Sequence, residues 1–298
     1  MRAGVVLPQG WVETFTESSA AVAWERVVSA ARTAERLGFE SGWLYDHFHR
    51  WPVATQDPVF ESFTGLTGIA GATTRLRLGH LVICAGFRNP ALVAKMASTL
   101  DVISGGRFDL GIGAGWYQEE WHAFGYDFPD RATRLATLRD QLEVIAHMLR
   151  PGPATFLGQH ARVDGAVNEP KPLQPKLPIM VGGNGPTVTW RLAARYADEL
   201  NLDCMSARQT QEALPIIAAR CTEIGRDPQS LRVSVHVYLG GLGAPGRERT
   251  DELGAFAALG IWRIMTPPPG LTQSDEALEA FAEDCVAAGV ELSPLVQP

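Results

Sequence analysis

One repeated pattern constrains this chain more than any other: a short apolar run, then a stretch with apolar residues every three or four positions, then another apolar run. The runs suit parallel strands covered on both faces, and the stretches suit amphipathic helices, so their alternation predicts βα units around a parallel sheet. Residues 75 to 116 show the pattern most clearly. Leu76 to Cys84 is a nearly unbroken apolar run, and Asn89 then caps a helix with Pro90 at its first position. Val93, Met96, Leu100 and Ile103 form one helical stripe, Gly105 and Gly106 stop it, and Arg107 to Ile112 restarts as a strand. That strand ends in the bare backbone of Gly113, Ala114 and Gly115, just before Trp116 and Tyr117.

Over the whole chain, strands are expected at Ala3–Leu7, Ser41–Tyr45, Leu76–Cys84, Arg107–Ile112, Ile179–Val181, Glu199–Leu202, Leu231–Leu239 and Ile261–Met265. A helix is expected after each strand. They run from Trp24 to Leu37 with Gly38 as the stop, from Pro58 to about Ala72, from Asn89 to Gly105, from Leu135 to Leu149, from Pro186 through Tyr196, from Ser206 to about Ile224, from about Arg247 to Leu259, and from Ser274 to Ala288. Ser206 and Gln209 make a capping box, while Pro215 should kink that helix or shift its start. Gly113 to Asp130 reads as an aromatic loop. Residues 150 to 178 are a Pro-rich insertion between the fourth helix and fifth strand, with a small hairpin around Gly158. Eight strands each followed by a helix define a (β/α)8 TIM barrel, here a single domain over residues 1–298.

At 298 residues and 46% hydrophobic, the chain can bury such a core. Its net charge of -7 comes without a basic stripe, which argues against nucleic acid or an anionic membrane as partner. No stretch approaches the roughly 20 apolar residues of a spanning helix, and a cytoplasmic location is expected. Cysteines 84, 204, 221 and 285 are widely spaced, without a CxxC pair, and read as buried reduced thiols.

In a barrel of this kind the loops after the strands carry the chemistry. Asp46-His47 ends the second strand, and its imidazole can donate or accept a proton near neutral pH. The alternative is that Asp46 caps a turn and His47 packs. His49 completes an HxH pattern, yet the fifth strand ends in glycines and the eighth in Met265-Thr266, so no metal is expected. Gly111-x-Gly113-x-Gly115 lacks the spacing of a dinucleotide fingerprint. Gly182-Gly183-Asn184-Gly185 before Pro186 is better suited to hold a phosphate on bare backbone amides, or is a plain tight turn. Trp11, Trp51, Trp116, Tyr117 and Tyr126 together favour a pocket for a flat or apolar small-molecule organic substrate.

The Asp46-His47-Phe48 loop, RNPALVAKMASTLDVISGGRFDLGIGAGW (88–116), EPKPLQPKLPIMVGGNG (169–185) and RLAARYADELN (191–201) resemble the luciferase-like monooxygenase superfamily, most closely its coenzyme F420-dependent branch. The resemblance covers nearly the whole chain. It implies a deazaflavin in the C-terminal mouth, with the phosphate chain on Gly182, Gly183, Asn184 and Gly185. It also implies a non-proline cis peptide behind the ring near Leu81-Val82, with Cys84 beside it, and Asp46 and His47 as the cofactor-side pair with His47 as acid/base. In the sugar-phosphate dehydrogenases of this branch a glutamate follows the glycine turn of the fourth strand. Trp116 stands there here, and Glu119 and Glu120 follow without matching the motif. An apolar or aromatic substrate is therefore expected in place of a sugar phosphate. The implied activity is hydride transfer between F420 and such a substrate, in the direction of reducing a C=C or C=N bond; the alternative is an FMN-dependent monooxygenase of the same fold. The family also implies a homodimer.

Overall fold

The computed structural model describes residues 1–15, 19–238 and 240–293. The chain begins with β1 (Arg2–Val6), α1 (Ala20–Leu37) and β2 (Ser41–Leu44). Ser19 caps α1 by accepting the Val22 N–H, and Gly38 closes it in the left-handed conformation. Next comes α2 (Ser62–Ala72), four residues later than Pro58 promised. The delay has a cause: the Phe60 N–H donates to the Gln9 carbonyl, and Gln9 Nε2 donates back to the Phe60 carbonyl, so this segment is tied to the loop after β1. Glu61 then caps α2 through the Phe63 and Thr64 amides.

The expected third strand is broken in two, β3 (Arg77–His80) and β4 (Ile83–Cys84), with the Leu81-Val82 peptide between them in cis. After α3 (Pro90–Ser104) and β5 (Phe108–Gly113), the stretch expected as pure loop contains a short helix, α4 (Gln118–Ala123). It starts on two acidic residues, Glu119 and Glu120, which suit a helix N-terminus. Then follow α5 (Arg131–Leu149) and the insertion, whose β6 (Ala154–Leu157) and β7 (Arg162–Ala166) pair antiparallel as a hairpin.

The alternation resumes with β8 (Ile179–Gly182), α6 (Thr189–Tyr196), β9 (Glu199–Asp203), α7 (Ala207–Thr222), β10 (Arg232–His236), α8 (Arg247–Ala258), β11 (Arg263–Thr266) and α9 (Glu276–Ala287). α6 starts three residues after Pro186, because the Trp190 N–H reaches back to the Gly185 carbonyl and makes 186–188 a turn. The Ser206–Gln209 capping box fixes the start of α7, and the helix runs through Pro215. The expected seventh strand stops at His236, and Leu239 lies outside the described residues.

Parallel pairing runs β3-β2-β1-β11-β10-β9-β8-β5 and closes through β3 and β5, an eight-position TIM barrel. The larger core lies between strands and helices; a second cluster, including Trp43, Leu81, Met180 and Met265, fills the barrel interior. Beneath it Arg263, 1% exposed, pairs with Glu199 at 3.3 Å and with Glu40 and Asp109 at 3.5 Å. The interior is thus plugged from below, and its open space lies at the C-terminal ends of the strands. Among the described residues, no helix is long and apolar enough to cross a membrane.

Candidate active site

A cavity of about 600 Å³ occupies the barrel mouth. It brings together the thirteen positions singled out in the sequence: Asp46, His47 and Trp51 after β2, Leu81, Val82 and Cys84 at the strand break, Trp11 after β1, Trp116 and Tyr117 after β5, and Gly182 to Gly185 after β8. Tyr126 is not among its walls; it packs against Phe87 and donates its hydroxyl to the Phe87 carbonyl.

His47 stands at the centre. Its ring stacks on Trp11 with centroids 3.9 Å apart and planes 6° from parallel. Nδ1 lies 2.8 Å from Glu120 Oε2, while Glu120 Oε1 accepts the backbone N–H groups of Phe48 at 2.8 Å and His49 at 3.4 Å. The Glu120 side chain is fully buried. A carboxylate already accepting two amides is the acceptor for Nδ1–H as well, which fixes the tautomer and leaves Nε2 for the cavity. Sequence reasoning named Glu120 without a role, because only the turn of α4 swings it back under the β2 loop.

Asp46 lines the cavity, but its oxygens are already engaged. Arg88 donates to both of them at 2.7 and 2.8 Å, Ser62 Oγ donates to Oδ1 at 2.9 Å, and the Cys84 N–H donates to Oδ2 at 2.9 Å. Burial alone would raise the Asp46 carboxyl; the Arg88 guanidinium and the Cys84 amide outweigh it and hold it below the usual range. Asp46 thus serves the site by locking β2 to β4. Burial pushes the Cys84 thiol up, so this wall is neutral.

At the strand break, Val82 wedges between two strand ends. A Cβ on Gly182 would stand 2.9 Å from Val82 Cγ1, and one on Gly113 would stand 2.8 Å from Cγ2, so neither glycine can carry a side chain without a shift. The turn after β8 is only partly free for a ligand. Gly183 has φ 131° and donates its amide to the Asn201 carbonyl, and the Asn184 side chain grips the Asp203 backbone in both directions, at 2.6 and 2.9 Å. Among the described residues, the amides of Asn184 and Gly185 donate to no protein acceptor. A cavity of this volume with a bulged wall and two open amides fits a tricyclic ring bearing an anionic chain.

A second histidine went unnoticed in the sequence. His236 lies between Asp203, with Nδ1 2.8 Å from Oδ1, and Tyr45, with Nε2 2.9 Å from the hydroxyl. Burial raises the Tyr45 hydroxyl, helped by the nearby Tyr238 and Asp203. The walls of the mouth work against ionisation of Asp203, and the His236 ring more than offsets them, holding that carboxyl below the usual range. Asp203, Cys204 and His236 offer ligand atoms within 4.8 Å of one another, but both ring nitrogens of His236 already have partners, so the group is a hydrogen-bonded chain and not a ligand set.

Residues 1–240 match the sequence profile of luciferase-like monooxygenases. The chain belongs to the luciferase-like monooxygenase family. Among relatives of this luciferase-like chain is the F420-dependent glucose-6-phosphate dehydrogenase of Kineococcus radiotolerans, 34% identical over 175 residues, which are 58% of this chain and 50% of the relative. The chain thus spans about half the length of that protein. Two solved structures share the luciferase-like fold across nearly the whole chain. An F420-dependent secondary alcohol dehydrogenase in complex with an F420-acetone adduct superposes with a TM-score of 0.80 at 19% identity, covering 96% of this chain and 98% of the other. The monooxygenase RslO1 from Streptomyces bottropensis gives 0.76 at 21% identity, covering 96% and 99%. Relatives of both the deazaflavin and the monooxygenase kind therefore surround this luciferase-like chain.

Proposed function

We propose that the protein is a coenzyme F420-dependent oxidoreductase that reduces a C=C or C=N bond of an apolar or aromatic organic substrate. The observation that carries this reading is His47: held at Nδ1 by Glu120, stacked on Trp11, and open at Nε2 to a cavity that two free amides also line. F420, when bound, supplies or takes the hydride. The rest of the work falls to this chain. The Leu81-Val82 bulge and Cys84 form the wall against which the ring would rest, and the Asn184 and Gly185 amides would hold its phosphate. Trp11, Trp51 and Trp116 shape the substrate side and exclude water, with Trp11 and Trp51 centroids 6.2 Å apart and Trp51 and Trp116 6.4 Å apart. The imidazolium form of His47, its Nδ1–H held by Glu120, gives the substrate from Nε2 the proton that accompanies the hydride and is left as the neutral Nδ1–H tautomer. Trp116, in the place where sugar-phosphate dehydrogenases keep a glutamate, supports an apolar substrate.

Anaerobic fluorescence titration of the purified protein with F420 and with reduced FMN tests the reading. F420 is expected to bind, and His47→Ala to retain that binding while abolishing turnover. Tight binding of reduced FMN with no response to F420 overturns it in favour of a reduced-flavin monooxygenase.

A further inference from the structure

Beyond the glycine turn the cavity reaches the start of α5, and there its wall becomes cationic. Arg131 and Arg134, in the first turn of that helix, line the same cavity as Gly183, Gly185 and Thr189. In a chain of net charge -7, among the described residues no carboxylate comes within ion-pair distance of either arginine. The nearest acid in sequence, Asp130, is spent on the Thr133 amide at 2.7 Å as the helix cap. Arg134 is pre-positioned: its guanidinium lies over the Phe128 ring at 4.0 Å, one Nη donates to the Pro129 carbonyl at 2.6 Å, and its buried Nε has no partner. Arg131 is exposed at the rim. The positive end of α5 adds to the field of both.

We propose that Arg131 and Arg134 form a cationic lip that, with the Asn184 and Gly185 amides, binds the anionic chain of the cofactor, its phosphate and the carboxylates beyond it. This rests on the deazaflavin reading above and names the residues that would select a polyanionic deazaflavin over a neutral one. Two open amides can serve one phosphate; the guanidinium forks add bidentate donors for further oxyanions. Such a lip also concentrates an anionic ligand at its end of a mouth whose other charged walls are the carboxylates of Asp46, Glu120 and Asp203.

The test is equilibrium binding, read by deazaflavin fluorescence without turnover. F420 and its phosphate-free deazaflavin analogue are titrated at low and high salt into the wild-type protein, Arg131→Ala, Arg131→Lys and Arg134→Met, with FMN and riboflavin as a second pair. F420 is expected to bind about tenfold or more tighter than the phosphate-free analogue, a gap that shrinks with salt. Arg131→Ala should close much of that gap without changing affinity for the analogue, and Arg131→Lys should restore part of it. Arg131 is exposed and, among the described residues, its side chain makes no hydrogen bond, so its loss is separable from unfolding, and unchanged melting temperatures of the two Arg131 variants verify this. Equal affinity of the wild type for both deazaflavins, or an Arg131→Ala variant that binds F420 as the wild type does, overturns the lip while leaving the cofactor reading intact. Binding of neither deazaflavin overturns the cofactor reading itself, and a phosphate preference confined to FMN keeps the lip and overturns its assignment to F420.

Discussion

Glu120 holds His47 by Nδ1 at 2.8 Å across 73 residues of sequence, and with its other oxygen accepts the Phe48 amide at 2.8 Å. One fully buried carboxylate therefore sets both the tautomer of the imidazole and the path of the loop that carries it. Glu120→Gln keeps an acceptor for the loop amides and loses the charged partner of the ring. Turnover is expected to fall about 10- to 100-fold with F420 affinity unchanged, and nitrogen NMR of His47 should show the proton no longer held at Nδ1. Glu120→Ala goes further, because two part-buried amides lose their acceptor; unfolding by urea should show an added loss of about 1–2 kcal/mol.

The Asp46–Arg88 pair is buried and doubly bonded, with Asp46 3% exposed. Removing the acid takes away two of the guanidinium's charged hydrogen bonds and leaves it Glu61 at 2.9 Å, so Asp46→Ala should cost about 1.5–3 kcal/mol by denaturant unfolding. The folded carboxyl titrates below its ordinary 3.8. Its contribution is therefore fully present above that pH and is lost as pH falls through the lowered folded value. Unfolding measured from pH 5 to pH 2 should show a steep decline in the wild type that Asp46→Asn flattens.

His80 acts in a different window. It is 0% exposed, faces Phe63 at 4.2 Å, and among the described residues neither ring nitrogen has a partner. Burial lowers it from 6.5 to about 3, outweighing the attraction of Asp46. Between those values the unfolded chain binds a proton that the folded one refuses, so stability is lost as pH falls from about 6.5 toward about 3. His80→Leu should abolish this component, seen as nearly equal urea midpoints at pH 7 and pH 5.

Asp203 is held below its ordinary 3.8 against the effect of its surroundings, by the hydrogen bond and charge of His236. Replacing the ring with an amide, His236→Asn, should raise the Asp203 carboxyl to or above 3.8, read by carboxyl carbon NMR. Tyr45 loses its hydroxyl partner in the same variant, which should loosen the Trp11–Tyr45 edge contact at 4.6 Å and broaden Trp11 fluorescence.

The barrel was legible because its signals are local: periodic apolar positions, Asn89-Pro90, Gly38, and the Ser206–Gln209 box each act within a few residues. The start of α2 was not, since it depends on Gln9, 51 residues away from Phe60. The cavity walls were legible as residues at strand ends, whose place the barrel dictates. Their partners were not, because Glu120, Arg88 and His236 reach the site only through tertiary contacts, and an acidic residue on a short unforeseen helix gives no periodic signal. Arg131 and Arg134 look, in sequence, like any basic residues on an exposed helix start; only the fold puts them on the same cavity wall as the glycine turn.

Val82 lies between Gly113 and Gly182, with no space for a further carbon on either side. The three positions come from the break between β3 and β4, from β5 and from β8 and are far apart in the chain, yet they form one unit of variation. In any lineage descended from this protein, a side chain gained at 113 or 182 must be matched by one lost at 82, so the three should drift together or stay as they are.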